Sequence, residues 1–382
     1  MNPLILVAGA GGIYLYFVYE SLHRFKVLFE NCNLKKGEML PEFREKKKTS
    51  YGYSLRFSLP VGLSTEDFSR HQTAIEQYLN HKIRIKYHSK NVIIEVYEKE
   101  LETEYAFTPI KTRGILEFPV GYSFGGKVER VDLAENGPHM IIAGETGSGK
   151  STVLRSIITN LMLTNANIKL HLIDLKKGAE FNIFRKCGIV ESFSRDREEA
   201  EKTLYKISKE VDRRYNLFFE NDVVDIKEYN QKSKGKKLNY QLVIIDEFAD
   251  LQNEKGSISI VEELAAKARA CGIHLIVSTQ RPDAKILNGR IKANMPVVLG
   301  LKTMNELNSR IIIDSQGLEL LRGKGHGILK CGKEIEIQSM NIRPHEARDL
   351  LKHTYIEKKE ATFTPKEKAG EVKSFDFLKV IK

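Results

Sequence analysis

Gly144-Glu-Thr-Gly-Ser-Gly-Lys-Ser151 has the spacing G-x-x-x-x-G-K-[ST], and it gathers the residue types that bind phosphate. Gly144, Gly147 and Gly149 let the backbone turn tightly, so that successive N–H groups can point at one anion. Glu145, Thr146 and Ser148 fill the places between them and Thr152 follows, making Gly144–Thr152 the expected nucleotide-binding stretch. Lys150 is expected to reach the outer phosphates and Ser151 to offer a hydroxyl to Mg²⁺, with the helix N-terminus adding its partial positive charge. Read as part of a surface loop, Lys150 should be replaceable by Ala without loss of the fold.

A second group of chemically useful residues ends an apolar run. Leu242-Val-Ile-Ile-Asp-Glu247 finishes in two adjacent carboxylates. At a buried strand end beside a phosphate loop, Asp246 is expected to orient Mg²⁺, and Glu247 to polarise the water that attacks the γ-phosphate. The run Ile273–Gln280 likewise passes from apolar to polar. Gln280, with Thr279 as second choice, is expected to contact the γ-phosphate or the attacking water. Asp174 closes another run and is expected to line the same cleft, without an assigned role.

These residues need a scaffold of parallel strands and covering helices. His139–Ala143 reads as a buried strand entering the loop, and Ser151–Leu163 as the helix leaving it, with Val153, Leu154, Ile157, Ile158 and Leu161 at helical spacing. From about Gly121 to Arg343 strands alternate with longer helices, the pattern of a mainly parallel α/β sheet. The expected core strands are Met140–Ala143, Lys169–Ile173, Leu242–Ile245, His274–Ser278 and Pro296–Leu299. Residues 51–108 read instead as a small α+β module, with alternating strands and a capping box at Ser64-Thr-Glu-Asp67. It shows no catalytic pattern, which leaves a docking or collar role.

The ends of the chain differ in character. Residues 1–20 carry one charged residue, Glu20, and the apolar stretch 3–19 is followed by His23, Arg24, Lys26, Lys35, Lys36, Arg44 and Lys46-Lys-Lys48. The stretch is expected to be a single membrane anchor, with everything after it on the cytoplasmic side; the alternative is a helix packed against a partner or the module. Residues 21–50 read as a basic linker and 346–382 as a charged tail. The formal net charge of +11 over 382 residues points to a polyanionic partner. Four widely spaced cysteines, Cys32, Cys187, Cys271 and Cys331, support neither zinc nor a disulfide framework.

Taken in order, Gly144–Ser151, Glu210–Tyr215, Ile226–Asn230, Val243–Leu251, Ala268–Leu275, Ser278–Pro282, Ile291–Asn294, Asn308–Asp314 and Leu321–Gly325 resemble the FtsK/SpoIIIE family of DNA translocases over residues 120–345. The resemblance implies a RecA-like P-loop motor that uses ATP and Mg²⁺, assembles as a homo-hexamer and moves double-stranded DNA. It also implies an arginine supplied by a neighbouring subunit, for which Arg310 is the choice and Arg269 and Arg281 the alternatives. The chain departs from the usual members in having one apolar span at most and no room after residue 345 for a winged-helix domain. That layout is closer to the compact forms of conjugative elements, plasmids and phages. The alternative function is a nucleotide-controlled coupling or scaffold protein that binds a DNA-processing or conjugation partner.

Overall fold

The computed structural model describes residues 25–165, 167–235, 237–251 and 255–356. The expected anchor, and the expected tail from 357 onward, lie outside the described residues. Among the described residues no helix is long and apolar enough to cross a membrane.

Two hydrophobic cores follow one another along the chain. The first is built from residues 25–96. Here helix α1 (25–31) and the short helices α2 (Thr65–Arg70) and α3 (Gln72–Leu79) accompany a sheet of order β1-β2-β4-β3. Its strands are β1 (Phe43–Thr49), β2 (Gly52–Ser58), β3 (Lys82–His88) and β4 (Asn91–Tyr97), all antiparallel. The expected capping box is present: Ser64 Oγ accepts from Asp67 N–H while Asp67 accepts from Ser64 N–H. The basic linker expected over 21–50 is a correction, because it is folded from residue 25. Phe25, Phe29 and Leu34 are core residues, with Phe25 and Phe29 each 5.1 Å from the Phe57 ring. Phe43–Thr49 pairs with β2 as an edge strand whose Arg44–Lys48 side chains stay exposed. A lysine-rich edge is the usual guard against strand addition, and its charges hid the strand.

The second core spans residues 116–351 and surrounds a ten-stranded sheet. Its strands are β6 (Glu117–Ser123), β7 (Lys127–Asp132), β8 (His139–Ala143), β9 (Ile168–Asp174), β10 (Val190–Ser194), β11 (Tyr240–Asp246), β12 (Ile273–Thr279), β13 (Val297–Leu301), β14 (His326–Lys330) and β15 (Glu334–Gln338). The spatial order is β10-β9-β11-β12-β8-β13-β14-β15-β6-β7. Pairing is parallel from β10 through β13 and antiparallel from β13 to β7. All the expected core strands are in the parallel part. They read as largely apolar runs, interrupted by Lys169 and His171 in β9, because helices cover both faces of a parallel sheet. Helices α4 (Lys150–Thr164), α5 (Arg197–Glu220), α6 (Ile226–Lys232), α7 (Lys255–Lys267), α8 (Gly289–Asn294), α9 (Glu306–Ile313) and α10 (Pro344–Leu351) complete the layer. α10 packs on α4 and buries Ala347 and Leu351, so the residues after 345 begin as core and not as tail.

Between the two cores runs a linker, residues 98–115. Its short strand β5 (Tyr105–Ala106) pairs with β16 (Met340–Asn341), apart from the main sheet. All four cysteines are free thiols.

Candidate functional site

β8 ends at Ala143 and the chain turns through Gly144–Gly149 before α4 begins at Lys150. Gly147 and Gly149 have φ of 81° and 104°, which side chains with a Cβ rarely adopt. Neighbours hold the turn in place. Glu145 N–H donates to Lys302 O at 2.9 Å, and Gly325 N–H donates to Ser148 O at 2.7 Å. A Cβ on Gly149 would lie 2.2 Å from Gly325 N, so backbone meets backbone there.

Lys150 is 3% exposed, not on the surface as its loop position suggested. Its Nζ donates to Asp246 Oδ1 at 2.8 Å and to Ser278 Oγ at 3.4 Å, and lies 3.8 Å from Glu247 Oε2. Ser278 Oγ donates to the same Asp246 oxygen at 2.7 Å. Burial pushes the Asp246 carboxyl up, but the Lys150 ammonium and the hydrogen bonds from Lys150 and Ser278 hold it below the usual carboxylate range. Asp246 is an ionised, fully buried carboxylate, and its Oδ2 has no partner.

Glu247 adopts φ of 58°, a left-handed conformation that costs a non-glycine residue about 1–3 kcal/mol. Its Oε1 accepts from Gln280 N–H at 3.0 Å and Thr279 Oγ1 at 3.2 Å. Its Oε2 makes no hydrogen bond, and Lys176 Nζ lies 3.4 Å away. Strand register explains the meeting. β9 and β11 run in step so that Asp174 pairs with Asp246, which brings the chain after Asp174 alongside Glu247. Asp174 itself is buried and accepts from the N–H groups of Lys176, Glu180 and Phe181 at 3.1, 2.8 and 2.9 Å. It shapes the loop that carries Lys176.

A cavity of about 450 Å³ opens over the turn, lined by Glu145, Gly147, Gly149, Lys150, Ser151, Thr152 and Gln280 among others. The Gln280 side chain accepts from Thr146 Oγ1 at 3.4 Å. Ser148 Oγ is buried without a partner. The site therefore pairs backbone and lysine donors for an anion with Asp246 Oδ2 and Glu247 Oε2, which accept no hydrogen bond, the latter facing the Lys176 and Lys150 ammonium groups. Together with the Ser151 hydroxyl these oxygens suit Mg²⁺, a hard cation that keeps waters and takes few protein ligands. Among the described residues no cluster of three His, Cys, Asp or Glu gathers as an all-protein metal site.

Sequence reasoning brought most of these residues to one place, but not all. Arg310 is on an exposed face of α9, paired with Glu306 at 2.6 Å, and does not line this cavity; Arg269 and Arg281 are exposed too. Lys176, Ser278, Thr103, Glu104, Lys324 and Asn341 were missed. The only local signals were the Asp174–Lys176 strand tip and the Gly323-Lys-Gly325 turn, whose meaning depends on long-range pairing.

Comparison with known proteins agrees with this geometry. Residues 108–284 match the FtsK/SpoIIIE family. The chain is 32% identical over 352 residues to the DNA translocase FtsK of Caldanaerobacter subterraneus, an alignment covering 88% of this chain and 49% of that one. It is 37% identical over 248 residues to the DNA translocase SftA of Bacillus subtilis, covering 61% and 26%. The chain thus spans a quarter to a half of the length of these relatives. Among solved structures, the pCW3 conjugation coupling protein TcpA with ATPγS superposes with a TM-score of 0.61 at 24% identity, covering 87% of this chain and 99% of that one. The type VII secretion ATPase EccC of Thermomonospora curvata gives 0.58 at 20%, covering 67% and 33%. The fold is the mixed α/β fold that these P-loop ATPases share, and residues 108–284 carry the match to the FtsK/SpoIIIE family.

Proposed function

We propose that the protein is an ATP-driven translocase of double-stranded DNA. One observation carries the reading: the buried Lys150–Asp246–Ser278 cluster, with Asp246 and Glu247 oxygens that accept no hydrogen bond, at the mouth of a phosphate-binding turn. The amides of Gly144–Ser151 and the Lys150 ammonium hold the triphosphate, which offers Lys150 a second anionic partner beside Asp246. Ser151 and Asp246 hold Mg²⁺, which when bound neutralises charge on the phosphates. Glu247 takes the proton of the attacking water, and the Gln280 and Thr279 contacts fix where that carboxylate points. Turnover of a motor that must pass any sequence calls for phosphate contacts on the DNA, in keeping with the net charge of +11.

Two finer features belong to the same proposal. The protein works as a homo-hexamer in which Arg310 of one subunit reaches the nucleotide of the next, and residues 3–19 anchor it in the cytoplasmic membrane. The relatives named as DNA translocases support the DNA substrate. ATP hydrolysis measured with and without long duplex DNA at low salt tests the reading, and absence of stimulation overturns it. Carbonate extraction tests the anchor: release of the full chain from membranes would exclude a span.

A second reading, a nucleotide-controlled coupling protein, is favoured by the near-complete overlap with a protein described as a conjugation coupling protein. Displacement of a triplex-forming strand from duplex DNA separates the two. A coupling scaffold binds ATP and DNA but leaves the third strand in place.

A further inference from the structure

The cavity over the phosphate loop has a second wall of different origin. Besides the loop, the cavity is lined by Thr103 and Glu104 of the linker, Asn341 of β16 and Lys324. We infer that Thr103 and Glu104 bind the nucleoside end of the nucleotide, so that filling the site fixes the linker leading to the N-terminal module. This rests on the nucleotide-binding reading above.

A triphosphate seated on the loop amides and Lys150 leaves its sugar and base to the rest of the cavity, where these are among the polar groups on offer. Ribose hydroxyls donate hydrogen bonds and a carboxylate only accepts them. Acidic side chains bind ribose hydroxyls in this way in dinucleotide-binding folds. Glu104 Oε1 accepts from Asn341 Nδ2 at 2.6 Å, which fixes the rotamer and leaves Oε2 for a hydroxyl.

The linker is tied to the loop as well as to the cavity. Arg322 Nη1 and Nη2 donate to Leu101 O and Glu102 O, each at 3.2 Å. Three residues on, Gly325 N–H bonds Ser148 O of the phosphate loop, at the point where Gly149 admits no Cβ. Residues 322–325 therefore touch the loop with one end and the linker with the other. Tyr105, stacked 4.3 Å from the Tyr122 ring, and the β5–β16 pairing seat the next residues on the motor. Upstream, β4 of the module ends at Tyr97, so the span between the two cores is short.

The test is calorimetric titration of the full chain, with Mg²⁺, using ATP and inorganic tripolyphosphate, which lacks the nucleoside. Glu104→Ala should weaken ATP roughly tenfold or more, as loss of a hydrogen bond to a charged group predicts, and leave tripolyphosphate within about twofold. Thr103→Val should act in the same direction more weakly. Both residues are exposed, so the fold is not at stake. Hydrogen exchange over residues 99–107 should slow with ATP and much less with tripolyphosphate. An unmutated chain that binds neither ligand sinks the nucleotide reading itself. Normal ATP binding by Glu104→Ala, an equal loss of both ligands, or unchanged exchange on ATP addition overturns this inference alone.

Discussion

The two ends of β8, β11 and β12 are buried to the same degree and stand in opposite electrostatic states. At the carboxyl ends Lys150 and Asp246 are both charged, 3% and 0% exposed, each the other's partner. At the amino ends His139 and His274 are 0% and 1% exposed, and burial pushes them down to about 3 and about 4, so both imidazoles are neutral. His139 Nδ1 accepts from Leu275 N–H, and His274 Nδ1 donates to Pro138 O, which gives the two rings complementary tautomers. Burial alone removes charge; charge persists in a core only where an opposite charge is built in beside it. Both ends keep buried atoms without a hydrogen-bond partner, His139 Nε2 and His274 Nε2 at one and Asp246 Oδ2 and Glu247 Oε2 at the other, but only the charged end offers carboxylate oxygens beside a cavity.

The strongest test of this contrast is chemical. Glu247→Gln should lower ATP turnover by about 10²–10⁴-fold, the usual worth of a positioned base, while leaving ATP binding intact. A normal rate in that variant removes Glu247 as the base. Lys150→Ala should abolish productive ATP binding and, contrary to what a surface lysine would do, destabilise the fold by about 3–5 kcal/mol, because it strands a buried carboxylate. Denaturant titration reads the loss, and adding Asp246→Asn should recover part of it. If Lys150→Ala melts like the unmutated chain, the charged end is not held together as described.

Acid should separate the ends. His139 and His274 rise from about 3 and about 4 in the fold to 6.5 once unfolded, so the unfolded chain binds the extra protons. Stability is full above about pH 6.5 and falls as pH drops, toward about 4 for His274 and about 3 for His139, by several kcal/mol in order of magnitude. Asp246 behaves differently. Its carboxyl, held below 3.8, contributes stability above that value that is lost only as pH falls further through its folded pKa. A His139→Asn, His274→Asn double variant should flatten the stability curve between about pH 6.5 and 3, while the loss that follows protonation of Asp246 remains. The smallest effect expected is that of Lys176→Met. Its ammonium is a third exposed, so solvent screening limits the contribution to about 0.5–1 kcal/mol, a two- to fivefold drop in turnover that Lys176→Arg should restore.

What the sequence made legible was whatever is encoded locally. The phosphate turn is a contiguous spacing, and β8, β9, β11, β12 and β13 are apolar runs that can only be buried strands. Asp246 and Glu247 could be placed because a strand end fixes them. Lys176 could not, since its approach to Glu247 depends on the register of β9 against β11 and on the Asp174 turn. Arg322 meets Leu101 and Glu102, and Asn341 meets Glu104, across more than two hundred residues, with no local pattern to mark them. β1 was hidden for another reason: an edge strand with Lys46, Lys47 and Lys48 exposed looks like a charged linker.

The strand order has a practical consequence for anyone who trims this protein. Residues 108–284, the part recognisable as a family, contain β6 and β7 at one edge of the sheet and β8 to β12 at the other side. The strands that join them, β13, β14 and β15, lie between residues 297 and 338. A recombinant fragment cut to the family boundaries would consist of a detached hairpin and a sheet with β8 uncovered along one edge. Unpaired strand edges recruit other chains, so that fragment should aggregate where one reaching Leu351 stays monodisperse. The unit that homology recognises is smaller than the unit that folds.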